Sequence, residues 1–71
     1  MNNQVNNQNS NRAKFTIKIY TVQETAELLK VNYRKILDLI HLKKLLAYKI
    51  DGAYRVPLHA IHNYLEKVKT K

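Results

Sequence analysis

The chain contains one glycine and one proline, Gly52 and Pro57. Gly52 follows Asp51, and the pair lies between two runs of strand-forming character, residues 47–50 and 53–56. Asp-Gly in that setting is a strong hairpin signal, because a type I′ turn requires positive φ at both central residues. Pro57 then suits the first position of a helix, where the missing N–H has no intrahelical role. Leu58, Ile61, Leu65 and Val68 share one face of the helix expected next, from residue 58 to about residue 69.

Upstream, residues 15–20 alternate, with Phe15, Ile17 and Ile19 on one face and Thr16, Lys18 and Tyr20 on the other, as in a short strand. Thr21 with Glu24 three residues later forms a capping box, so a helix is expected from Val22 to about residue 30. Val22, Ala26 and Leu29 make its buried stripe, and Glu24 and Glu27 suit its positive end. Asn32 is a good N-cap for a second helix, from Tyr33 to about residue 42. Ile36, Leu39, Ile40 and the stem of Lys43 face inward there, while Tyr33, Arg34, Lys35 and Asp38 face outward with Leu37 between. Two helices joined so tightly describe a helix-turn-helix. The whole order of strand, helix, turn, helix, hairpin and helix gives an α+β, mainly helical winged helix-turn-helix. It has three helices and a small β-hairpin wing.

At 71 residues the chain is one small domain. Residues 1–13 hold six Asn and two Gln with almost nothing apolar, and are expected to be a disordered tail before a domain at 14–71. Thirteen Lys and Arg against five Asp and Glu give +8, a balance that favours polyanions, nucleic acid first. Without cysteine there are no disulfides, thiolate metal sites or thiol nucleophiles. No apolar run approaches the ~20 residues of a membrane span, and the polar start is no secretory signal, so the expected compartment is the cytoplasm.

The stretch Tyr20-Thr21-Val22-Gln23-Glu24-Thr25-Ala26-Glu27-Leu28-Leu29 resembles the opening of small excisionase-type helix-turn-helix domains. The likeness continues through Val31-Asn32-Tyr33-Arg34-Lys35-Ile36, then from Ala47 through Asp51-Gly52-Ala53-Tyr54-Arg55-Val56-Pro57 to Tyr64-Leu65. These domains are relatives of the DNA-binding heads of mercury-resistance-type regulators, and are often found on mobile genetic elements. The resemblance implies a DNA-binding protein that sets recombination direction, shapes DNA or regulates transcription. Its second helix would enter the major groove and its wing would follow the backbone. Carried over position by position, the nucleic-acid-binding candidates are Asn32, Tyr33, Arg34, Lys35 and Asp38 on the helix, with Lys49, Tyr54 and Arg55 on the wing. Arg34 has the paired donors that read guanine, and Lys35 holds phosphate as a point charge.

Two positions depart from the family pattern. Lys30 stands where the family usually has Gly, and a left-handed residue other than Gly costs about 1–2 kcal/mol, so a different turn is expected. Asp38 stands where a basic residue is common, although a carboxylate can accept from cytosine N4. Asp38, Leu37 and the tyrosines motivate an alternative function. In it the protein is an accessory subunit of a mobile element's replication or recombination machinery. Its helix-turn-helix surface would then hold single-stranded DNA, or dock a recombinase, polymerase or helicase.

Of the five tyrosines, Tyr48 and Tyr64 are expected in the core, whereas Tyr33 and Tyr54 are free to stack on bases or meet phosphate. His41, His59 and His62 lack nearby acidic ligands and are read as surface or half-buried histidines, so no metal or other cofactor is expected. Glu24 serves the cap, Asp51 the turn, and Glu27 and Glu66 helix surfaces, which leaves no paired acids or catalytic triad. The chain is expected not to be an enzyme and not to bind membranes. No heptad seam is long enough for a coiled coil, so it is expected to be a monomer in solution, with cooperative assembly on DNA left open.

Overall fold

The computed structural model describes residues 17–70; the expected tail and Phe15 lie outside them. The elements run β1 (Ile19–Thr21), α1 (Val22–Leu29), α2 (Tyr33–His41), β2 (Tyr48–Ile50), β3 (Ala53–Pro57) and α3 (Leu58–Val68). The strands form one antiparallel sheet in the order β1-β3-β2. β3 is central, and the first strand joins the wing by pairing Tyr20 with Val56 and Thr21 with Arg55.

Local chemistry sets the helix starts. The Thr21 hydroxyl accepts from the Glu24 N–H at 3.0 Å, and the Glu24 carboxylate accepts from the Thr21 N–H at 2.9 Å. Asn32 Oδ1 accepts from the Lys35 N–H at 2.8 Å and starts α2. Pro57 is both the last residue of β3 and the N-cap of α3, one position earlier than the sequence suggests. Having no N–H, it leaves the next sheet bond to Leu58, whose N–H donates to the Lys18 carbonyl at 2.9 Å.

Both helices of the motif end on a lysine with left-handed backbone. Lys30 has φ 61° and Lys43 has φ 64°. The following amides close the helices, Val31 N–H on the Ala26 carbonyl at 3.0 Å and Lys44 N–H on the Leu39 carbonyl at 2.8 Å, a Schellman pattern. The turn therefore keeps the conformation that glycine would favour, contrary to the expectation from Lys30. Lys43 is likewise exposed rather than packed by its stem. Lys30→Gly is expected to raise stability by about 0.5–1 kcal/mol in urea titrations, the strain relieved less the added freedom of the unfolded chain. No gain would mean that the turn holds lysine without strain. Asp51 and Gly52 have φ 51° and 81°, as a type I′ turn requires.

The core consists of Val22 and Ala26 from α1, Ile36, Leu39 and Ile40 from α2, Leu45, Val56 from β3, and Ala60 and Ile61 from α3. Thr25 is also fully buried, and its hydroxyl is satisfied by donating to the Thr21 carbonyl at 2.8 Å. Three apolar expectations are corrected. On α3 only Ile61 of the expected stripe is buried; Leu65 and Val68 are exposed, and Ala60 with the half-buried Tyr64 takes their place. Tyr48 lies on an outer strand and is exposed, not in the core. At the start of the chain it is Tyr20 that packs on the core, while Ile17 and Ile19 are exposed.

Candidate nucleic-acid interface

The N-terminal half of α2 presents polar groups outward along one side. Asn32 is committed to its cap through Oδ1. Lys35 is exposed, as is Arg34, whose Nε lies 3.7 Å from Asp38 Oδ1 in an i, i+4 pair. Such an exposed pair contributes about 0–1 kcal/mol and is readily exchanged for another anion. The Arg34 side chain is 81% exposed, so its guanidinium is accessible to a base edge or a phosphate.

A second stripe of α2, Tyr33, Leu37 and His41 at i, i+4 and i+8, faces the wing across a cleft of about 700 Å³. Lys49, Tyr54 and Arg55 line its opposite wall. His41 and Tyr54 meet edge to face, with ring centroids 5.9 Å apart and planes at 69°. The register pairs Lys49 with Tyr54 across the hairpin, which sets the Lys49 ammonium 5.4 Å from the Tyr54 ring centroid. Arg55 Nη1 donates to the Tyr54 carbonyl at 3.4 Å. The ring of Tyr54 thus has the Lys49 ammonium and the His41 imidazole beside it, and Tyr54 is half-buried, whereas Tyr33 is exposed.

Of the eight residues expected to bind nucleic acid, the fold gathers Tyr33, Lys49, Tyr54 and Arg55 in this cleft. Asn32, Arg34, Lys35 and Asp38 do not line it and occupy the neighbouring side of α2. His41 and Gln23 also line the cleft and escaped the sequence reading as binding residues, and Leu37, read there only as support for the alternative function, lines it too; the spacing of Tyr33, Leu37 and His41 marks one helical stripe. Among the described residues no group of three His, Cys, Asp or Glu is placed to hold a metal ion. No helix there is long and apolar enough to cross a membrane.

A capped helix, a tight turn, a second helix facing a hairpin and a closing helix together define a winged helix-turn-helix domain. Residues 19–69 match the family model described as a helix-turn-helix domain. An excisionase of Streptomyces ambofaciens is 41% identical over 51 residues, which cover 72% of this chain and 82% of that protein. No solved structure matches the chain. The chain belongs to the excisionase-type helix-turn-helix family, a family of non-enzymatic DNA-binding proteins.

Proposed function

We propose that the protein binds duplex DNA, with α2 in the major groove and the β2–β3 hairpin on the adjacent backbone. In this reading it acts in the cytoplasm of its host as an architectural factor that directs recombination, or as a small transcriptional regulator. The observation that carries the reading is the cleft between α2 and the wing, where Lys49 and Arg55 face Tyr33 and no acidic residue lines the wall. Cations follow phosphates there, while Arg34 and Lys35 lie on the neighbouring side of the helix that would enter the groove. The likeness to an excisionase supports the recombination role.

Fluorescence anisotropy with matched duplex and single-stranded oligonucleotides, over a series of salt concentrations, tests this. If about five phosphates are neutralised, log K against log salt falls with a slope near −4.5 for the duplex. Tighter binding to the single strand would replace this reading with the accessory role in replication or recombination. Weak, salt-insensitive binding to both would turn attention to a protein partner such as a recombinase, polymerase or helicase.

A further inference from the structure

A second cleft, of about 500 Å³, opens on the other side of the His41–Tyr54 pair. His41 and Tyr54 line both clefts, so the aromatic pair stands where the two adjoin. The second cleft is bounded by the end of α2, the loop that follows it, and Lys67 of α3. Lys43, Lys44 and Lys67 line it, and no acidic side chain does. Among the described residues none of these three lysines has a carboxylate within 4 Å; the ion pairs there are Arg34–Asp38 and Lys69–Glu66.

We propose that this Lys43–Lys44–Lys67 cleft is a second phosphate-binding surface, which continues the DNA path beyond the wing and across the His41–Tyr54 pair. The inference rests on the duplex-binding reading and extends it from the groove-facing side of α2 to the cleft between the end of α2 and α3. Three cations without acidic partners in one concave surface repel each other, and a polyanion relieves that repulsion. Their convergence also has a geometric origin. Lys43 takes the left-handed conformation that ends α2, so the chain reverses there, and Lys43 and Lys44 line the same cleft as Lys67 of α3. The phosphodiester backbone is the ligand that fits, since lysine meets phosphate as a point charge and needs no base-specific geometry.

The left-handed lysines supply a controlled test. Lys43→Gly and Lys30→Gly each remove one cation and one strained backbone position, yet only Lys43 lines the cleft. Both variants should fold at least as stably as the native protein. In the duplex assay Lys43→Gly is expected to flatten the salt slope by about 0.9, and Lys30→Gly to leave it unchanged. The triple variant Lys43→Gly, Lys44→Ala, Lys67→Ala should flatten it by about 2.7, in proportion to the lost contacts. Equal effects of Lys43→Gly and Lys30→Gly would overturn the proposal, because charge would then act from anywhere on the surface. A lysine triple variant with the native slope, beside an Arg55→Ala variant with a reduced one, would overturn it and leave the duplex-binding reading intact. A native protein that does not bind duplex DNA would overturn both.

Discussion

Ile36→Ala is expected to leave a large fraction of the chain unfolded at room temperature. Ile36 has no solvent exposure and belongs to the core that α1, α2, β3 and α3 share. Truncating a buried isoleucine to alanine costs about 2–5 kcal/mol, through lost burial and the cavity left behind. A domain of this size holds only about 3–5 kcal/mol in total, so the loss is comparable to the whole. Circular dichroism should show collapse of the helical signal, and anisotropy should show loss of duplex binding with it. Ile36→Val removes a single methylene, costs about 0.5–1.5 kcal/mol, and should stay folded. A cooperative Ile36→Ala transition within 1 kcal/mol of native would mean that the site collapses around the smaller side chain.

Arg34→Ala carries the second large effect, on sequence preference rather than on folding. The side chain is 81% exposed, and its charged partner among the described residues is Asp38, so removal should hardly alter stability. If Arg34 reads guanine, the variant loses about 1–3 kcal/mol of discrimination at one base pair, roughly fivefold to more than a hundredfold. Selection of duplexes from a random pool, for native and variant proteins, would locate that base pair; titration of matched and altered sites would measure it. Uniform weakening over all sequences, with the preference retained, would reassign Arg34 to the phosphate backbone.

What the sequence made legible is local in origin. The Thr21–Glu24 box, the Asn32 cap and the Asp51-Gly52 turn each depend on residues at most three apart, and each appears in the structure as read. Ile36, Leu39 and Ile40 were legible because α2 is covered along that whole face. Leu65 and Val68 were misread because periodicity tells which residues share a face, not how far the opposing layer extends. β3 and the helices cover the start of α3, while its last turns run past them. Lys30 and Lys43 were misread for a different reason. A positive φ away from glycine is imposed by the packing on either side, and leaves no mark in the residue itself. In the candidate interface, Tyr33, Lys49, Tyr54 and Arg55 were named through the family resemblance and do line the cleft, whereas the place of His41 there needed the orientation of α2 toward the wing.

The pairing of β1 with β3 has a consequence for how the molecule gains and loses its shape. It joins residues 19–21 to residues 55–57, so both α1 and α2 lie inside the loop that this pairing closes. Closing a loop of about 35 residues costs roughly 3 kcal/mol of chain entropy, which no single helix of eight or nine residues can offset alone. The clasp therefore depends on the core that the helices and β3 build together. A chain caught with its clasp open would hold β3 through β2 alone, and the wing would no longer be tied to Thr21 at the start of α1.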